Sequence, residues 1–209
     1  MIIREIKTEK ERELIFKFRY QIYEDEMRRG CAHADHEKKM IFDSMDKDGF
    51  IFGVFENCEL VATGRVNIAS KGKVEPENVY QFNSLTSRTR AKSAVASKVM
   101  VDPSYRGAGI YLRLVKAMYR KLIELGVEDI YLDCNAPLDK LYGRLGFLPL
   151  RMADHPEFGS VMVMRLPARD SSHLTASKSP LLSELLEVRA SERSYYANEA
   201  AQFSQFQFR

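Results

Sequence analysis

Tryptophan is absent from this chain of 209 residues, cysteine is scarce, and the formal net charge is only +3. The three cysteines, Cys31, Cys58 and Cys134, are far apart and odd in number, so no disulfide framework is predicted and a reducing, cytoplasmic setting is favoured. The small charge argues against a nucleic-acid binder, because such proteins usually gather many Lys and Arg residues on one face.

Long apolar runs are also missing, so the sequence predicts no transmembrane segment. The first residues, MIIREIKTEKERELIF, carry charges throughout, which argues against a signal peptide. The composition is 45% hydrophobic and 29% charged, which suits a sizeable core with a charged surface. The length favours one domain with an appendage.

Hydrophobic periodicity predicts the element order β-α-β-β-β-α-β-α-β, a mixed α/β layer fold. Apolar residues at helical spacing predict helices over residues 8–28, 109–125 and 137–146. Alternating or β-prone runs predict strands over 1–6, 93–102, 129–135 and 161–167, with a hairpin over 49–69.

Beyond Pro167 the composition changes. The stretch ARDSSHLTASKSP, residues 168–180, is typical of a linker, and Leu181, Leu182, Leu185 and Leu186 then recur at helical spacing. We therefore expect a domain over 1–167, followed by a linker and an amphipathic helical extension over 168–209. The helix is expected to pack on the domain or on a second copy of the chain, so a homo-oligomer is possible.

A Gly-rich turn lies between a predicted strand and a predicted helix, at Arg106-Gly107-Ala108-Gly109. The first turn of a helix has N–H groups without partners and a partial positive charge, so it attracts anions. Glycine lets a phosphate approach without a Cβ in the way, and Arg106 adds a fixed charge. The alternative is an ordinary strand-to-helix turn that binds nothing.

The stretch VMVDPSYRGAGI, followed later by LYGRLGF, resembles the GNAT N-acyltransferase superfamily. In that family an Arg/Gln-x-x-Gly-x-Gly/Ala pattern holds the coenzyme A pyrophosphate. Arg106 and Gly109 match it, whereas Tyr111 replaces the last small residue, a departure compatible with phosphopantetheine on a carrier protein. The resemblance implies a GNAT-like three-layer α/β (α+β) fold, with a mixed central sheet, splayed central strands and flanking helices. The implied donor phosphate and pantetheine residues are Lys98, Val101, Arg106, Gly107, Ala108, Gly109 and Ile110.

The same resemblance implies a catalytic centre. Tyr142 stands where the family often places the residue that protonates the leaving thiolate, and a tyrosine pKa of about 10 suits that task. A main-chain N–H near Val99 and Met100 is expected to stabilise the oxyanion, because the family's strand splays there. The alternative for Tyr142 is a core aromatic residue.

Four short motifs in the N-terminal half narrow the class of acyltransferase. In chain order they are FRYQIYEDE (with Arg19), FDSMD (with Asp43 and Asp46), LVATGRV (with Arg65) and VASKVMV (with Lys98). Their order resembles the acyl-homoserine-lactone synthases and the related long-chain N-acyl amino acid synthases. Lys98 replaces the usual Arg, no Glu precedes Ser97, and the family's Trp is missing, so we favour an N-acyl amino acid (or amine) synthase.

Two questions stay open from the sequence. Arg19, Asp43, Asp46 and Arg65 either converge in a charge-assisted network or are separate solvated charges. The general base is Asp43, Asp46, His155 or a relayed water, and His155 is alternatively an acceptor contact. The CAHADHE stretch fits no standard zinc spacing, so no metal is predicted.

We therefore expect an N-acyltransferase that moves a fatty acyl group from an acyl carrier protein or coenzyme A thioester to an amino acid or small amine. The acyl-phosphopantetheine donor is a cosubstrate, and no permanent cofactor is expected. Arg106, Arg113, Lys116 and Arg120 either dock an acidic carrier protein or form a solvated helix face. The alternatives are an acetyl-CoA-dependent N-acetyltransferase of a small amine or protein, and a non-catalytic GNAT-like domain that binds an acyl thioester or a partner.

Overall fold

The structure is a computed structural model that describes residues 1–74 and 76–206, with side chains up to residue 197. Among the described helices, none has the length and apolarity needed to cross a membrane. In chain order the elements are β1 (Ile2–Glu5), α1 (Glu9–Tyr20), β2 (Ala34–Asp35), β3 (Met40–Ile41), β4 (Phe50–Glu56), β5 (Glu59–Ile68), α2 (Glu77–Tyr80), α3 (Ser87–Ala91), β6 (Ser93–Val101), α4 (Ile110–Glu124), β7 (Asp129–Cys134), α5 (Leu138–Gly143), β8 (Leu148–His155), β9 (Gly159–Pro167), α6 (Ser171–Ala176) and α7 (Leu182–Phe206).

A seven-stranded mixed sheet in the order β1-β4-β5-β6-β7-β9-β8 forms the centre of the fold. Side chains alternate between its two faces, as the pleat requires. On β4, Ile51 and Phe55 pack against Ile15 of α1, whereas Phe52 and Val54 belong to the larger core beneath α4. Helices therefore cover both faces, and the predicted GNAT-like layered fold is confirmed.

The two central strands, β6 and β7, separate part-way along their length. They run parallel and pair only where Ser93–Val95 faces Asp129–Tyr131. After Val95, β6 stays on β5 while β7 follows β9. Lys98 adopts a left-handed backbone with φ of 54°, beside a register shift between β5 and β6. Such a bulge bends the strand locally, so an opening forms between the second halves of β6 and β7.

Two local expectations are wrong. No strand was expected over residues 148–155, yet β8 lies there at the edge of the sheet. Its side chains are exposed or half-buried, so it lacks the apolar pattern of an inner strand, and an edge strand tolerates Pro149. The α-helix expected over 8–28 begins with a Thr8–Glu11 capping box, but it ends at Tyr20 and continues as a π-helix over Gln21–Glu26.

The C-terminal segment packs on the main core. Residues 168–180 are not an extended linker, because they include α6, whose Leu174 is fully buried. Leu185 of α7 is also fully buried, whereas Leu186 is 53% exposed. Ion pairs from Glu184 and Glu187 hold α7 on the basic face of α4. The boundary at 167 and the pairing with a second copy stay predictions, and residues 207–209 lie outside the described part.

We expect Leu185→Ala to lower the free energy of unfolding by about 2–5 kcal/mol, because it leaves a cavity in the core. Leu186→Ala is the matched control, and it should change that energy by less than about 0.5 kcal/mol because its side chain is half exposed. Urea unfolding followed by circular dichroism measures both. Equally small losses in the two variants would show that α7 is not part of the cooperative core.

Candidate active site

A cavity of about 790 Å³ occupies the opening between β6 and β7. It runs from the loop after β6 into the interior between the sheet and α4. Charged and aromatic side chains surround its mouth, among them Arg29, His33, Arg106, Glu157 and Phe158. Its inner part is lined by buried apolar side chains, namely Met118, Leu122, Leu132, Leu145, Leu166 and Leu181. Such a cavity suits a ligand with a polar head and a long apolar tail.

Tyr142 lies in this cavity within a group of aromatic side chains. Its ring centroid is 6.3 Å from that of Tyr111 and 5.9 Å from that of Phe147. Burial raises the pKa of both Tyr142 and Tyr111, and it raises the pKa of Tyr23 to about 12. These hydroxyl groups are therefore protonated at neutral pH. The Tyr142 side chain also contributes to the raised pKa of Tyr111.

The loop between β6 and α4 has the backbone that an anion site needs. Gly107 and Gly109 have φ of 86° and 75°, a region that strains residues with a Cβ. Gly109 is the N-cap of α4 and has no side chain with which to cap the helix. The Arg106 guanidinium donates to both carboxylate oxygens of Glu26, at 2.6 and 2.8 Å, and its Nε donates to the Val101 carbonyl. A phosphate at Arg106 must therefore exchange with Glu26.

A buried charge network lies beside the cavity. Arg19 donates to both carboxylate oxygens of Asp46 at 2.9 Å, and Arg65 donates to Asp46 and to Asp43. The Lys98 Nζ lies 3.6 Å from Asp43. Burial opposes ionisation of Asp43, but the surrounding cations, Arg65 foremost with Lys98 and Arg19, together outweigh it and lower the pKa of that carboxyl group. The four charges that the sequence left unplaced therefore converge, and they tie α1 and the 43–46 turn to β5.

The Arg29 side chain lies at the mouth of the cavity, without a carboxylate partner in the part of the chain that the structure describes. The Arg29 guanidinium lies over the rings of Tyr23 and Phe158, at 5.2 and 5.1 Å from their centroids. Among the described residues, its contacts are with these two rings and not with a carboxylate. The Lys98 Nζ lies 5.4 Å from the Tyr23 centroid, so two cations share this ring. An aromatic face attracts a guanidinium without using its N–H groups, so the N–H groups of Arg29 remain available to a ligand.

Glu157 and His155 complete the mouth. The Glu157 Oε1 atom is buried and has no hydrogen bond from the described residues, with the His33 Nε2 atom 3.9 Å away. The His155 ring stacks on Phe158, and burial lowers the pKa of its imidazole. Its Nδ1 accepts the Glu157 N–H at 3.0 Å, which places the proton of a neutral ring on Nε2. His155 is therefore a hydrogen-bond donor in this geometry.

The family model described as "FeeM: N-acyl amino acid synthase FeeM" matches residues 14–167. The chain belongs to this family of N-acyl amino acid synthases. It is therefore an N-acyltransferase, and the resemblance seen in the sequence motifs is confirmed. No curated protein matches the sequence.

Solved structures agree with the fold of the FeeM family. FeeM itself, an N-acyl amino acid synthase from uncultured soil microbes, is 16% identical with a TM-score of 0.65, covering 87% of this chain and 98% of its own. The CoA-dependent acyl-homoserine lactone synthase BjaI is 16% identical with a TM-score of 0.65, covering 90% and 99%. An acyl-CoA N-acyltransferase from Pseudomonas aeruginosa is 17% identical with a TM-score of 0.55, covering 79% and 97%. At these identities the likeness shows the fold alone.

The structure places most of the predicted site residues of this FeeM-family chain around one cavity. Arg19, Asp46, Ala108 and Ile110 do not line it, and the first two belong to the buried charge network behind it. The roles of all these residues stay predictions. The predicted residues that do line the cavity are Asp43, Arg65, Lys98, Val99, Met100, Val101, Arg106, Gly107, Gly109, Tyr142 and His155.

Several lining residues were missed from the sequence. Tyr23 and Arg29 follow α1, and Glu157 and Phe158 lie in the HPEFG stretch, of which only His155 is a predicted site residue. Each of the two stretches combines aromatic and charged residues, which was the available signal. Nothing in their spacing indicates that they meet. In the CAHADHE stretch, His36 is hydrogen-bonded to Tyr20. Among the described residues, no cluster of His, Cys, Asp or Glu side chains could bind a metal ion.

We expect Asp46→Asn to lower the free energy of unfolding by about 3–5 kcal/mol, because two buried guanidinium groups lose the carboxylate that neutralises them. Glu13→Gln, which breaks the exposed pair with Lys17, is the control and should have no measurable effect. Urea unfolding at pH 7 compares the two variants. Equal stabilities would contradict a structural role for the network.

Proposed function

We propose that this N-acyltransferase joins a fatty acyl group, carried as a pantetheine thioester, to the amine of an amino acid that keeps its carboxylate. The observation that carries the proposal is the one cavity that links the Gly-rich loop, Tyr142 and an apolar interior. Each methylene buried there contributes about 0.8 kcal/mol, and an acetyl group leaves most of this interior unfilled. The cavity therefore favours a long acyl chain over an acetyl group.

The donor arm fits the edge of β6. Beyond Val95 this edge is not paired with β7, so a pantetheine amide can add to it as an extra strand does. The arm ends at the loop of Gly107 and Gly109, where backbone N–H groups receive its phosphate after Glu26 has moved from Arg106. Acyl carrier protein and coenzyme A both present this arm.

The carrier-protein surface is smaller than the sequence suggested. Lys116 pairs with Glu184 of α7, and Arg120 pairs with both Glu184 and Glu187. These two basic residues are therefore not free to dock an acidic partner. Arg106 pairs with Glu26, so Arg113 is the one of these four basic residues without a carboxylate partner among the described residues. A comparison of one acyl group on carrier protein and on coenzyme A, at low and high salt, separates the two donors because ionic docking weakens with salt.

The chemistry is a direct attack. The acceptor ammonium gives a proton to Glu157, its nitrogen bonds to the thioester carbonyl carbon, and the carbon–sulfur bond breaks. Tyr142 protonates the departing thiolate and regains a proton from the attached nitrogen, so the products are an amide and a free thiol. Burial raises the pKa of Tyr142, which keeps the hydroxyl protonated but makes it a weaker acid, so its role as the proton donor is supported by its position in the cavity. Main-chain N–H groups of Val99 and Met100 are assigned to the oxyanion.

Asp43 and Asp46 are assigned the role of holding α1 and the 43–46 turn on β5, not that of the general base. Asp43 is bonded to Arg65, and its lowered pKa makes it a weak base. Asp46 does not line the cavity. The carboxylate of Glu157 lines the cavity and has an oxygen without a hydrogen bond from the described residues, which supports it as the group that receives the ammonium proton.

Charged side chains at the mouth of the cavity recognise the acceptor. The Arg29 guanidinium has a planar fork that matches a carboxylate in two parallel hydrogen bonds. Glu157 offers the opposite charge to the acceptor ammonium on the same side of the cavity. A cation and a carboxylate around one mouth suit a zwitterion, and this supports an amino acid rather than a plain amine.

We expect Tyr142→Phe to lower kcat about 100-fold or more with a long-chain acyl thioester, because the leaving thiolate loses its proton donor. Thiol release, followed with a chromogenic disulfide, measures the rate. Tyr105→Phe is the matched control, since Tyr105 also lines the cavity, and it should keep at least about a third of kcat because its hydroxyl is not the assigned acid. Full activity in Tyr142→Phe would remove that role.

We expect Arg29→Gln to raise KM for an amino acid acceptor about 10-fold or more, since a charge-assisted carboxylate contact is lost. The decarboxylated amine of the same amino acid should show no such change. Arg28→Gln, at the exposed neighbouring position, is the control and should leave both acceptors unaffected. An equal loss for the amino acid and the amine would contradict carboxylate recognition.

A further inference from the structure

We infer that the turn of Ser179, Pro180 and Leu181, here called the closing turn, forms the inner wall of the cavity and limits the length of the acyl chain. This inference rests on the proposed function. It gives the C-terminal extension a part in substrate choice, which neither its composition nor its position in the chain indicates.

The closing turn contributes Leu181 to the lining of the cavity. The Leu181 side chain is 0% exposed, and it lines the cavity together with Leu145 and Leu166, which are also buried. Leu181 lies beyond β9, so the inner wall is shared between the sheet and the extension. Leu185, one helical turn later, is equally buried but does not line the cavity.

Hydrogen bonds tie the closing turn to the helix that carries Tyr142. The Ser179 Oγ atom donates to the Leu145 carbonyl at 2.5 Å and accepts from the Leu181 N–H at 3.2 Å. The Leu145 N–H in turn donates to the Tyr142 carbonyl at 2.9 Å. The wall and the proposed catalytic hydroxyl therefore belong to one bonded unit, which fixes the space between them.

Ion pairs on the outer side keep this wall in place. Glu184 lies 3.3 Å from Lys116, and Glu187 lies 2.7 Å from Arg120, so the start of α7 is fastened to α4. An acyl chain that is too long must push Leu181 into packed side chains, which is unfavourable. A chain that is too short leaves apolar contacts unmade. The position of the Leu181 side chain therefore sets the preferred length of the acyl chain.

The test measures kcat/KM for a series of even-numbered acyl thioesters, from acetyl to hexadecanoyl, at one fixed acceptor concentration. Leu181→Ala should move the preferred length about two carbons longer, and Leu181→Phe should move it about two carbons shorter. Since each methylene changes binding about fourfold, the ratio between neighbouring donors should change about tenfold or more. Leu181→Val is a milder variant that should shift the ratio in the same direction as Leu181→Ala.

Leu185→Ala is the matched control, because it is expected to destabilise the same helix without opening the cavity. Its preferred acyl length should equal that of the unmodified protein. If no Leu181 variant moves the preference, or if Leu185→Ala moves it as much, the inference is overturned while a fatty acyl donor stands. If the unmodified protein uses acetyl thioesters best, the proposed function itself fails.

Discussion

The separation of β6 from β7 after Val95 is the constraint on which the rest of the structure depends. A parallel pair that continued to its end would fill the centre of the sheet and leave no space for a ligand. Because β6 bends at Lys98 and stays with β5, one edge of β6 remains open along the cavity. The proposed donor arm, the oxyanion contact and the acyl chain all use that opening.

The buried charge network stabilises one side of the opening between β6 and β7. Arg65 projects from β5, the strand that holds β6 after it leaves β7, and it binds the turn that carries Asp43 and Asp46. Arg19 joins the first helix to the same turn. Buried charges of this kind are unfavourable unless each has its partners, so the network specifies one arrangement of the N-terminal half. The mouth residues that follow α1 are placed by that arrangement.

The sequence predicted the residues whose roles depend on local backbone or on ordered motifs. The Gly-rich loop and Tyr142 are of this kind, whereas the motifs left open whether Arg19, Asp43, Asp46 and Arg65 converge or are separate solvated charges. Contacts between distant stretches were not predicted, since no spacing along the chain encodes that Arg29 reaches Phe158 or that Glu26 binds Arg106. The edge strand β8 was missed because it has no buried face, and α6 was missed because its serine-rich composition is typical of a linker.

The central claim is that the opening between β6 and β7 accepts a fatty acyl thioester and delivers the acyl group to an amine. Mass spectrometry of lipid extracts from cells that overproduce the chain tests this most directly, with cells overproducing Tyr142→Phe as the comparison. The account predicts a new amide of a long-chain fatty acid with an amino acid, strongly reduced in the variant. Extracts without a fatty amide, accompanied by acetylated amines as the new products, would contradict it.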